Sequence, residues 1–148
     1  MKVIGSIFSG GGKDGDFAWM IKQVEYNDAL FVFNDNEMQY KAHRDDPTDR
    51  SGSGCTPGGG NAVIRPYQYK SPPRAAGIPT GPHYESLTPE IKQLIDEAIA
   101  TIKSIAAREH CSRIIYSAAN ANGDLGTSIF RVGDSVKKYI GSRLKSLE

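Results

Sequence analysis

Three stretches of this chain carry residue types, at spacings, that suit chemistry on an anion. The first is Pro57-Gly58-Gly59-Gly60-Asn61-Ala62-Val63-Ile64-Arg65. Consecutive glycines let backbone N–H groups approach a ligand closely and reach φ angles that other residues resist. Arg65 adds a planar, permanently charged donor fork that matches phosphate or carboxylate. The second is Asn34-Asp35-Asn36, three short polar side chains that end the apolar run Ala29-Leu30-Phe31-Val32-Phe33. A carboxylate beside an amide suits the positioning of a water, so Asp35 and Asn36 are the candidate catalytic residues and Asn34 a candidate ligand contact. The third is Gly126-Thr127-Ser128-Ile129-Phe130, between a strand ending at Ser117 and the last helix. Free N–H groups and the positive end of a helix dipole both favour an anion in such a place.

A fourth stretch, the glycine run Ser9-Gly10-Gly11-Gly12, follows the first apolar segment. It matches neither G-x-x-x-x-G-K-[ST] nor G-x-G-x-x-G. Ser9, Gly10 and Gly11 therefore read as a pocket loop or as a plain turn. His43 and His83 are outlying acid–base candidates in polar stretches, where a solvated histidine is the simpler reading. Trp19, the one tryptophan, reads as core packing.

Strands and helices must position these groups. Val3 to Phe8 is almost continuously apolar, the pattern of a strand buried on both faces in a parallel sheet. A helix is expected from about Asp16 to Val24. Ala29 to Phe33 is the second strand. From Glu37 to Thr56 no hydrophobic period survives, so a long loop is expected at about 37–57, acting as a lid or an oligomer contact. Prolines at 66, 72 and 73 forbid a long helix there, and Ala75 to Pro82 reads as a short strand with a turn, with Thr80 near a ligand. Thr88 is a good N-cap, Pro89 suits the first helical position, and Ile91, Leu94, Ile95, Ala98, Ile102 and Ile105 form one stripe. This helix is expected to run to about Glu109. Arg113 to Ser117 is the next strand, and a last helix starts near Asp134 with Val136, Tyr139, Ile140 and Leu144 turned inward.

The alternation of strands and helices predicts one α/β domain over residues 1–148, with three layers and a mixed, mainly parallel sheet flanked by helices. The formal net charge is +1, from 18 Lys and Arg against 17 Asp and Glu, which argues against a broad nucleic-acid or membrane surface. No apolar run approaches the roughly 20 residues of a membrane span, and Met1 to Phe8 reads as a strand rather than a signal segment. Cys55 and Cys111 fit no zinc spacing and make no disulfide framework, so no metal is expected, and reduced thiols in a cytoplasmic protein are the default. No cofactor is expected.

Taken in order, Asp28 to Asn36, Gly58 to Ile64 and Leu125 to Phe130 resemble the Asn-containing turn and the two phosphate loops of macro domains. They also resemble the corresponding segments of small macro-like proteins of tailed phages, which carry a Gly-Ile-Pro-Thr segment like Gly77-Ile78-Pro79-Thr80. The resemblance covers about Asp28 to the end of the sequence. It implies a pocket for ADP-ribose or a related nucleotide, linear or cyclic. Asn36 would lie near the distal ribose, Gly58, Gly59, Gly60 and Asn61 along the ribose and diphosphate, and Gly126, Thr127, Ser128, Ile129 and Phe130 on the other side of the diphosphate. The acidic residue that holds adenine in macro domains has no match here, and the stretch between Asn36 and Gly58 is a long insertion. Three functions stand open: a nucleotide-binding protein that sequesters a host immune signal in the host cytoplasm, a hydrolase of ADP-ribosyl bonds or of ADP-ribose phosphate, and a structural or partner-binding protein.

Overall fold

The computed structural model describes all residues from Met1 to Glu148. Four strands form one sheet: β1 (Lys2–Ile7), β2 (Ala29–Asp35), β3 (Ala75–Pro79) and β4 (Arg113–Ala118), in the order β1-β4-β2-β3. Every pairing between these strands is parallel, so the sheet is not mixed. Parallel strands need crossovers that cover both faces. The strands accordingly alternate between two apolar clusters. Leu30, Val32, Ile114 and Tyr116 turn to one face, where they meet α3 (Pro89–Arg108) and α4 (Asp134–Lys145). Ala29, Phe31, Phe33 and Ile115 turn to the other, under Phe17, Met20, Tyr26, Ala62 and Ile64. Three α/β layers result. Each fully buried Phe, Leu or Ile contributes about 1.5–3 kcal/mol to holding them together.

The second face is built differently from the first. Its cover is a short helix α1 (Phe17–Met20) and two 3-10 stretches, Val24–Tyr26 and Gly60–Tyr69. The helix expected over 16–24 is thus broken into two short pieces. The expected long loop is also corrected, because helix α2 occupies Glu37–Asp45 and a 3-10 turn occupies Ser53–Cys55. Only Tyr40 of α2 is buried, so no apolar stripe marks it. α3 is as expected, with Thr88 Oγ1 accepting from Ile91 N at 3.2 Å and Ile99 and Ala106 joining the buried stripe. Asp134 is the first residue of α4, and Gly133 holds the cap position. Phe17, Met20 and Ile21 are buried and Trp19 packs at the margin of the same cluster. Cys55 and Cys111 are both free thiols. No helix is long and apolar enough to cross a membrane.

The sheet parts at its carboxyl end. The β2–β4 ladder runs from Ala29↔Arg113 to Val32↔Tyr116 and stops. Beyond that point β2 stays with β3 as far as Asp35↔Pro79, and β4 stays with β1 as far as Ile7↔Ala118. β4 leads to α4 on the first face, whereas β2 leads into α2, whose Tyr40 joins that same cluster, before the chain crosses to Gly60–Tyr69 on the other face. Neighbouring strands whose continuations diverge in this way leave a crevice above their carboxyl ends, which is where open α/β sheets bind ligands.

Candidate functional site

The crevice opens into a cleft of about 1020 Å3. One wall is Gly58 to Val63, where the chain enters its 3-10 stretch. The opposite wall is Gly126 to Phe130, and the floor includes Asn34, Ser117 and Ala118 from the strand ends. Ile7, Phe8, Gly11 and Asp16 close one side, and Asn36, Gln39 and Thr80 the other.

The walls are held by side-chain amides. Asn34 Nδ2 donates to Gly126 O at 2.6 Å, tying the end of β2 to the loop after β4. Asn61 Oδ1 accepts from Phe17 N at 3.0 Å, while its Nδ2 donates to Gly15 O and to Ser117 Oγ at 3.2 and 3.0 Å. That one amide links the first glycine loop, the start of α1 and β4. Both amides thus bridge the gap where the ladder has stopped. Gly126 fits because its Cα lies against the backbone of β4: a Cβ there would meet Ala118 C at 3.0 Å.

The cleft presents backbone donors and no free cation, with Asp16 the one carboxylate in its lining. The N–H groups of Gly59, Gly60 and Asn61 meet no acceptor in the chain, and neither do those of Thr127, Ser128, Ile129 and Phe130 across the cleft. Gly60 has φ +57°, the left-handed conformation that aims successive N–H groups into a concave nest for an anion. Arg65 lines the cleft, but its guanidinium is committed. Nε and Nη2 donate to Asp35 Oδ1 at 3.1 and 2.8 Å, and Nη1 donates to Thr56 O at 2.6 Å. The expected free phosphate fork is therefore a buried ion pair. It lies directly under Gly58, where a Cβ would meet Arg65 Nη1 at 2.7 Å.

Asp35 does not line the cleft. Its residue is 1 % exposed, behind Arg65, and Oδ2 meets no partner. Burial pushes the carboxyl up from its ordinary value, and Arg65 and the Asn36 N–H pull it back down. This placement corrects its expected catalytic position. Asn36 does line the cleft, but it is also the N-cap of α2. Its Oδ1 accepts from Gln39 N at 2.8 Å, and its Nδ2 donates to Gln39 Oε1. Of the first glycine run, Gly11 reaches the cleft and Ser9 and Gly10 do not. Gly12 N instead donates to Asp16 Oδ2 at 2.8 Å, which folds that loop on itself. His43 lies in α2 with its ring against Tyr69 at 4.7 Å, and His83 is exposed. Neither lines the cleft, and no cluster of three His, Cys, Asp or Glu side chains is gathered in the structure.

No family model, curated protein or solved structure matches this chain. The site therefore stands on its own geometry. Several lining residues carried no signal as isolated letters: Phe8, Asp16, Gln39 and Val63. Phe8 and Ile129 are each 61 % exposed, and Val63 is 38 % exposed, so large apolar side chains rim the mouth of the cleft. Phe8 was legible in one respect, since it ends a strand immediately before a glycine loop. Gln39 was legible as the third residue after an Asn cap.

Proposed function

We propose that this chain binds a nucleotide of the ADP-ribose type, linear or cyclic, in the cleft above the parted strands. The observation that carries the reading is the pair of facing walls whose N–H groups have no acceptor in the chain. A diphosphate between Gly59–Asn61 and Thr127–Phe130 supplies those acceptors. The apolar rim of Phe8, Val63 and Ile129 suits the flat face of a base. The macro-like relationship belongs to the same reading. Its support is that Asn34 and Asn36, Gly58 to Asn61 and Gly126 to Phe130, distant in sequence, line one cleft. In a phage setting such a protein sequesters a nucleotide signal of the host.

Because Arg65 is neutralised by Asp35, the phosphates are held by neutral dipoles. Binding is then expected to depend only weakly on salt, unlike a site built from free lysines and arginines. The hydrolase alternative needs a water-positioning group, and Asn36 is the candidate that faces the cleft.

The test is calorimetry with ADP-ribose, its cyclic and phosphorylated forms, cyclic dinucleotides and NAD, on the native chain and on Gly59→Glu. A Cβ at Gly59 meets only the tip of Ile129, at 3.4 Å, so this variant keeps the fold and fills the phosphate path. Affinity retained by Gly59→Glu overturns the site. Ligand recovered intact after denaturation marks a binding protein, and a cleaved product marks the hydrolase.

A further inference from the structure

A second cleft, of about 750 Å3, adjoins the first. It lies between β1, the loop 119–125 and one side of α4. Ile7 and Ala119 line both clefts. Ile7 is 43 % exposed and Ala119 is exposed, so the divide is a low ridge open to solvent rather than a packed wall. Ligand sites for small molecules occupy roughly 300–1,000 Å3. The first cleft already meets that upper bound, and the second adds to it across the Ile7–Ala119 divide.

The chemistry of the extension differs from that of the first cleft. α4 turns Lys137, Lys138 and Lys145 onto it, against Asp124 and Asp134 in the same lining. Lys137 is paired with Asp134 and Lys145 with Glu148, each at 3.6 Å on the surface. Exposed pairs of this kind are weak and yield readily to a phosphate. Lys138 has no carboxylate within ion-pair distance. Gly141 opens the middle of the cleft, since nothing lies within 4 Å of where its Cβ would stand. Glycine inside a helix is less favourable than alanine, and at Gly141 its effect is to keep this space clear.

We propose that the two clefts take one ligand of two nucleotide units, its second phosphate crossing the Ile7–Ala119 ridge to Lys138 and Lys137. This rests on the nucleotide reading of the first cleft. The neutral donors hold the first unit and the lysines hold the second, so joining the units raises affinity through effective concentration.

The test compares 5′-AMP with the linear dinucleotide 5′-pApA by calorimetry. The native chain is expected to bind pApA at least about tenfold more tightly than AMP. Gly141→Trp, which fills the second cleft, and Lys138→Glu, which reverses its unpaired charge, should each remove most of that gain and leave AMP affinity unchanged. If AMP binds and pApA shows no gain, or if the gain survives both substitutions, the extension is wrong and the first cleft stands. If neither compound binds but ADP-ribose does, the extension falls and the first cleft stands; if ADP-ribose fails as well, the nucleotide reading itself falls, and the extension with it.

Discussion

At the scale of single residues, the most informative side chain is Arg65. Its type and its place beside three glycines pointed to a ligand, and its partner decided otherwise. Asp35 is 30 positions away in the chain, and nothing local to either residue announces the pair. With side chains 3 % and 0 % exposed, neither charge has water to fall back on. Removing one partner of a buried pair costs about 3–5 kcal/mol. Arg65→Ala should therefore lower the unfolding free energy by about that amount in urea titration. Arg65→Lys should recover little of it, because an ammonium cannot serve Asp35 and Thr56 O together in the geometry of a planar fork. A loss below about 1 kcal/mol in Arg65→Ala would contradict the pair as the support under Gly58.

Among the elements, α2 and α3 show what a sequence displays and what it conceals. α3 carries a cap, a proline at its start and an apolar stripe, and each is visible in the letters. α2 buries only Tyr40, so hydrophobic period could not reveal it; its one sign was Asn36 followed by Gln39. That cap changes how a mutation must be read. Asn36→Ala removes an N-cap worth about 0.5–2 kcal/mol, so a loss of function in it mixes stability with chemistry. Asn36→Asp keeps the cap oxygen and loses the donor. If Asn36 positions a water or a ribose, Asn36→Asp should retain the thermal midpoint and change turnover or affinity; if it only caps, neither should move.

The same helix holds His43, with Nδ1 buried and unpartnered against Tyr69. Burial lowers its pKa from the ordinary 6.5. The unfolded chain then takes up a proton that the folded chain refuses. Stability should fall as pH drops below about 6.5 and level off once folded His43 itself protonates. His43→Phe, which keeps an aromatic ring on Tyr69, should flatten that part of the stability–pH curve. An unchanged slope in denaturant titrations across this range would assign the dependence to other groups.

For the whole molecule, the α/β layers and the predominance of parallel pairing followed from the order of apolar segments, while the expected mixed sheet did not appear. The strand order did not, because the return of β4 between β1 and β2 is decided by which crossover covers which face. The cleft depends on that order. Its walls come from segments that are polar or glycine-rich for different local reasons, and only the early end of the β2–β4 ladder brings them together. The residues that hold it, Asn34 and Asn61, were read as ligand contacts; the structure uses their amides as ties across the gap.

The unlike covers of the two faces carry a consequence for motion. One face is roofed by α3 and α4, of 20 and 12 residues, and the other by short turns and the 3-10 stretch Gly60–Tyr69. The 3-10 geometry bonds less well than an α-helix and opens more easily. The wall that runs into this stretch at Gly60 should therefore breathe on the scale of local unfolding while the frame on the other face stays shut. Amide hydrogen exchange should show residues 60–69 exchanging well before the centre of α3, with bound ligand slowing the former and sparing the latter. Equal protection of the two would remove the distinction. If it holds, the molecule is half clamp and half bench: a ligand enters past the yielding side, and the free energy of closing on it is spent there.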